Sequence, residues 1–152
     1  MMTARYRLER VQRIPQPLET VFSFFADAGN LERITPPFLH FRILTPLPVT
    51  MQAGARIEYH LRLIGFPIQW TTRIEDYAPP YRFVDSQIFG PYKKWVHLHE
   101  FSTSDDGTRM RDVVDYEIPY SIIGPLAQKL FVARMLERIF DYRREAITAL
   151  LG

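Results

Sequence analysis

"RYRLERVQRIPQPLETVFSFFAD", residues 5–27, changes its period partway along, and that change decides the fold. In RYRLERVQRI (5–14) polar and apolar side chains alternate, the two-residue repeat of a strand with one buried face. The alternation is imperfect near Val11, where a slip is expected. In PQPLETVFSFFAD (15–27) the repeat lengthens. Pro17 suits a first helical position, and Leu18, Val21, Phe22 and Phe25 share one face at helical spacing. GNLERIT (29–35) predicts a second short helix with Asn30 as its cap, Leu31 and Ile34 turned inward, and Pro36 and Pro37 as its stop.

Working outward, the chain from about residue 40 to 119 is a series of strands divided by turn signals. The strands are FLHFRIL (38–44), ARIEYHLRLIG (55–65), IQWTTRIEDY (68–77), YRFVDSQIF (81–89), KKWVHLHEFS (93–102) and TRMRDVVDYEI (108–118). Between them lie PLPVTMQAG, GFP, APP, GP and SDDG, which supply Pro, Gly or Asp where a turn needs them. Such short links make antiparallel hairpins. Residues 121–151 read as one long helix. Leu136, Ile139, Phe140, Ile147, Leu150 and Leu151 cluster on one side, and Arg134, Glu137, Arg138, Asp141, Arg144 and Glu145 gather opposite. The start of this helix is apolar all round, at Leu126, Ala127, Leu130, Phe131, Val132 and Met135, which predicts an enclosed end. Arg143 lies near the apolar side, where it either pairs with an inner carboxylate or snorkels to solvent; snorkelling is the expectation. The order strand, two helices, six strands, long helix predicts an α+β domain spanning 1–152, with a curved antiparallel seven-stranded sheet covering the last helix.

Composition narrows the function classes. The chain has 152 residues and no cysteine, which excludes disulfides, thiolate nucleophiles and zinc–thiolate sites and suits a reducing cytoplasm. Its start, MMTARYRLER, lacks the apolar core of a secretion signal, and no apolar run is long enough to span a bilayer. The net charge is +2, with arginines spread among acidic residues, so no nucleic-acid-binding stripe is predicted. The sequence leaves a homodimer open.

Sorting each strand by period two yields an inner wall. Ile57, Tyr59, Leu61 and Leu63 share a face, with Arg56, Glu58, His60 and Arg62 toward water; Ile68, Trp70 and Ile74 follow on the next strand. Phe83 is placed inward, and Asp85 and Gln87 go with it. Trp95, His97, His99 and Phe101 share a face, as do Met110, Asp112, Val114, Tyr116 and Ile118. Buried polar groups cost free energy unless paired, so this set is either a self-satisfied network or the polar side of a ligand cavity. Phe131 and Met135 of the last helix would complete the lining. Two histidines at i and i+2 with two Asp nearby permit a metal, but no third ligand stands at fixed spacing, so none is expected. Acid–base work would fall to His97, His99, Asp85 and Asp112, although no nucleophile elbow or phosphate loop accompanies them.

The stretches PQPLETVFSFFADAGNLERITPPFLHFRI, IEYHLRLIGFPIQW, RFVDSQIFGPYKKWVHLHEF and TRMRDVVDYEIPY resemble the START-like, or SRPBCC, superfamily, which includes birch-allergen-type proteins and aromatic polyketide cyclases. The likeness covers nearly the whole chain and is strongest to a bacterial branch labelled polyketide cyclase/dehydrase or lipid transport. It implies a helix-grip fold with a largely apolar cavity between sheet and C-terminal helix, open to a lipid, polyketide or isoprenoid. It also implies that a minority of members act as cyclases or hydrolases, and the alternative to binding for this chain is a cyclase or dehydratase. The matching positions are Asp85, Gln87, Gly90, Pro91, Tyr92, Trp95, His97, His99 and Phe101. No catalytic role or cofactor is implied: iron-bearing members depend on a cysteine-held cluster, and cysteine is absent here.

Overall fold

Seven strands in the order β1-β7-β6-β5-β4-β3-β2 form one antiparallel sheet in a computed structural model that describes residues 5–119, 125–127 and 131–152. The strands are β1 (Arg5–Ile14), β2 (Arg42–Ile43), β3 (Arg56–Leu63), β4 (Phe66–Ala78), β5 (Arg82–Phe89), β6 (Lys94–Ser104) and β7 (Gly107–Glu117). Helix α1 (Leu18–Ala26) buries Val21, Phe22 and Phe25 as its spacing predicts. The second helix is a 3-10 helix, Ala28–Ile34, and its cap is Asp27, whose carboxylate accepts from the Gly29 amide at 2.9 Å. Asn30, the expected cap, instead donates to the Phe24 carbonyl at 2.9 Å. FLHFRIL supplies only β2, because Pro37–Leu39 forms a further 3-10 turn ended by His40 in the left-handed region.

The slip expected at Val11 does not occur: β1 pairs with β7 in unbroken register from Arg5↔Glu117 to Ile14↔Thr108. The alternation falters in chemistry, not in geometry. Arg10 and Gln12 do point inward, but at this edge of the sheet they meet the polar flank of the final helix. Arg10 donates to Asp141 at 2.7 Å, and Gln12 to the Arg144 carbonyl at 3.1 Å. Arg144 returns a bond to the Val11 carbonyl at 2.7 Å. At the β6–β7 turn, Gly107 has φ +151, and a Cβ there would collide with the Ile14 carbonyl, so a side chain would push β1 off the turn.

Where one helix over 121–151 was expected, the described residues show a helical turn α2 (Pro125–Ala127), two residues in a wider π-type turn at 131–132, and then α3 (Ala133–Leu151). The rest of that expected helix start, Leu130 included, lies outside the described residues. The start is not enclosed: Leu126 and Phe131 are exposed. Leu136, Phe140, Arg143 and Ile147 are the buried stripe of α3, at spacings of four, three and four. Three separate apolar clusters result. One joins α1 to Phe83, Phe101 and Ile147, one joins Val114 and Tyr116 to Leu136 and Phe140, and one groups Ala28, Ile57 and Tyr59. A space is left between them.

Candidate functional site

That space is a cavity of about 190 Å³ bounded by members of all three clusters: Phe25 and Phe83, Leu136 and Phe140, Ile57 and Tyr59. Most of its wall is apolar or aromatic. A largely buried polar cluster reaches it from β5, β6 and α3, as Asp85, His97, His99 and Arg143, and Asp27, Asn30, Thr35 and Thr72 also line it.

The histidines are held by crossed diagonals. In register, Asp85 faces His97 and Asp112 faces His99. The hydrogen bonds run the other way: His99 Nε2 meets Asp85 Oδ2 at 2.6 Å, and His97 Nε2 meets Asp112 Oδ1 at 2.9 Å. Residues two apart on one strand project side by side, so the imidazoles stack with ring centroids 3.7 Å apart, and Phe83 stacks on the far side of His99 at 4.1 Å. Arg143 comes from α3 to bond Asp112 at 3.3 Å and lies 5.1 Å from the Phe25 ring centroid. It is 7% exposed, so the snorkelling expectation is overturned and Arg143 is the inner carboxylate's partner.

Burial and the neighbouring His97 push His99 down to about 4, against the pull of Asp85, so at neutral pH it is uncharged. Burial raises the Asp112 carboxyl, but the Arg143 charge and the His97 hydrogen bond outweigh it and hold the group well below its ordinary range. Asp85 is likewise lowered: burial, the largest single influence, raises it, but the His99 bond and the neighbouring imidazoles and guanidinium together outweigh burial. Both are therefore carboxylates that can only accept, which places the His99 proton on Nε2. His99 Nδ1 is then a bare lone pair, buried, without a hydrogen bond, and 3.4 Å from Asp112 Oδ1. Opposite, burial and the Asp85 charge push the Tyr59 hydroxyl up, so it stays protonated.

Asp85, His97 and His99 present ligand-type atoms within 4.8 Å of one another. Stacked rings whose Nε2 atoms point to opposite neighbouring strands suit two carboxylate–imidazole bonds better than a chelate, which needs lone pairs converging at about 2 Å on one ion.

Of the expected lining residues, Tyr59, Leu61, Trp70, Phe83, Asp85, Trp95, His97 and His99 line the cavity. Six do not. Gln87 turns its amide onto the β5–β6 link, donating to the Tyr92 carbonyl at 2.8 Å and accepting from the Tyr92 amide at 3.1 Å. Phe101 is packed solid against Phe22, Phe25 and Phe83. Asp112 stands behind His97, and Tyr116 stacks on Tyr6. Met135 sits one residue off the buried stripe of α3, and Phe131 is exposed. The sequence reading missed the wall from the 3-10 helix and the loops after it, notably Ala28, Leu31, Phe41 and Met51. Leu31 was expected inward on a short helix and Phe41 within a strand, yet neither was assigned to the wall, and Met51 stands in a turn stretch with no period to place it.

Among known families, the model described as "Polyketide cyclase / dehydrase and lipid transport" matches residues 14–140. No curated protein matches the chain. Solved structures share the fold at low identity. A Rhodobacter sphaeroides protein is 17% identical with a TM-score of 0.70, over 95% of this chain and 91% of that one. Ara h 8.0201 is 11% identical with a TM-score of 0.68, over 97% and 98%. Protein TTHA0849 from Thermus thermophilus is 22% identical with a TM-score of 0.66, over 98% and 100%.

Proposed function

We propose that this chain, which belongs to the polyketide cyclase/dehydrase and lipid transport family, encloses an apolar small molecule whose polar end meets the His97, His99 and Asp85 group. The observation that carries this reading is a largely apolar cavity into which the Asp85, His97, His99 and Arg143 cluster reaches. Size limits the ligand. A cavity of about 150 Å³ holds a benzene, and this one is about 190 Å³. A one- or two-ring aromatic or a short isoprenoid fits, and a long acyl chain would have to protrude.

Organic extraction of the purified protein followed by mass spectrometry tests the reading, together with titration by geraniol, a short isoprenoid alcohol. Trp70 and Trp95, the two tryptophans of the chain, both line the cavity, so occupancy changes intrinsic fluorescence directly. Recovery of no apolar compound, with no fluorescence response to geraniol or to a panel of one- and two-ring aromatics, would sink it.

One observation favours a second reading, acid–base chemistry of cyclase or dehydratase type. Neutral His99 is braced by Asp85 in the way a general base is oriented. Under that reading His97→Ala or His99→Ala stops conversion of the extracted ligand and leaves its affinity nearly intact; equal loss of both points back to binding alone.

A further inference from the structure

The two-residue turn of the β3–β4 hairpin places Ile64 at φ 51, in the left-handed region, with 75% of its surface exposed. A β-branched residue there costs free energy that Asn or Gly would not, and three-quarters of its surface is left open to solvent. Phe66 follows at 70% exposed and pairs with Leu63, a cavity residue. Antiparallel order puts the β3–β4 turn, the β5–β6 link and the start of α3 at the same end of the sheet, where Phe89 and Phe131 are also exposed. That end is also basic. Residues 62–66, 88–94 and 131–135 carry Arg62, Lys93, Lys94 and Arg134 and no Asp or Glu, which exceeds the net +2 of the whole chain, so the remainder is acidic on balance.

We propose that this end of the sheet docks on the surface of an anionic lipid bilayer, inserting Ile64, Phe66 and Phe89 among the headgroups while the basic side chains meet lipid phosphates. Apolar side chains held out on hairpin tips and ringed by Lys and Arg supply both terms that peripheral binding requires, buried apolar area and attraction to negative charge. No helix among the described residues is long and apolar enough to cross a membrane, and the proposed contact is peripheral. Docking draws on none of the cavity's polar groups, so it stands or falls separately from ligand binding.

The test is co-sedimentation with vesicles of phosphatidylcholine alone and with about 30% phosphatidylglycerol. Wild type pellets with the anionic vesicles and is released by about 0.5 M NaCl, where screening removes the electrostatic part. The double variant Ile64→Asn/Phe66→Ser lowers the bound fraction about tenfold or more while geraniol titration is unchanged. Should that variant melt early, Lys93→Gln/Lys94→Gln makes the same test from the charge side. Wild type left in the supernatant at low salt overturns the proposal. So does sedimentation indifferent to both variants, or a solution dimer that the double variant splits, which would make the end an interface between copies.

Discussion

Replacing Arg143 by Met keeps most of the side-chain volume and removes the cation from a buried pair. Arg143 and Asp112 are 7% and 6% exposed, and their contact is 3.3 Å. Removing one partner of such a pair leaves a buried charge uncompensated, at a cost of about 3–5 kcal/mol. Asp112 keeps its 2.9 Å bond to His97, which places the loss at the lower end, about 3 kcal/mol. Lost stacking of the guanidinium near Phe25 adds roughly 0.5–1 kcal/mol. For a chain of this length the sum lowers the melting temperature by roughly 10 °C. Urea unfolding followed by circular dichroism measures it, and a cycle with Asp112→Asn isolates the pair. The double variant should be less unstable than the two single losses added, by about 2 kcal/mol. If Arg143→Met costs under about 1 kcal/mol and the cycle is additive, the side chain contributes only packing and the pairing argument is wrong.

Three further outcomes concern His99, the cavity wall at Ala28 and the β5–β6 link at Gly90. His99, near 4 in the folded chain against 6.5 unfolded, makes the unfolded state the better proton acceptor between those values. Stability is therefore full above about pH 7 and falls by roughly 3 kcal/mol toward pH 4. Asp85 and Asp112, both lowered, add their own loss below the ordinary carboxylate value, and an unfolding free energy flat from pH 7 to 5 would contradict the His99 assignment. Ala28→Phe projects a ring into the cavity: if the space is open, geraniol binding disappears with little change in melting temperature, whereas a filled interior would lose about 1–3 kcal/mol to overpacking. Gly90→Ala would put a Cβ 2.5 Å from Gln87 Oε1 and expel that amide from Tyr92, costing about 1–2 kcal/mol by thermal melt; Gln87→Ala should cost the same and the double variant no more.

The fold was legible because its periods are clean where it matters. Hydrophobic spacing marked α1, strands β3 to β7 and the second half of the last helix, and the short turns between strands forced antiparallel neighbours. Boundaries failed where local chemistry outweighed the pattern. Asp27 competes better than Asn30 for the cap because Asn30 is drawn to the Phe24 carbonyl, and Arg10 and Gln12 disturb the alternation of β1 by serving α3. The polar wall was legible as a set, since period two puts Asp85, His97, His99 and Asp112 on one face. Which carboxylate meets which imidazole was not, because the bonds run diagonally across the register. Arg143 was misread for a related reason: an arginine inside an apolar stripe is charged by the sequence alone, and only the opposing strand reveals its partner. The loop-borne part of the wall has no period to betray it.

The polar group also says something about the ligand's end. Two carboxylates held in their charged form face one guanidinium, and the bare Nδ1 of His99 lies 3.4 Å from Asp112 Oδ1. A hydrogen-bond donor on the ligand relieves this; a third carboxylate would worsen it. Geraniol and geranic acid share a carbon skeleton and differ at that end. At pH 7.5 the alcohol should quench Trp70 and Trp95 fluorescence at concentrations at least about tenfold lower than the ionised acid, since a like charge brought into a buried site costs more than 1.4 kcal/mol. The preference should narrow toward pH 5, as protonation neutralises part of the acid. An acid that binds as tightly as the alcohol at pH 7.5 would mean that Arg143 is free to receive an anion, and that the Asp112 pair is not what sets the field of the cavity.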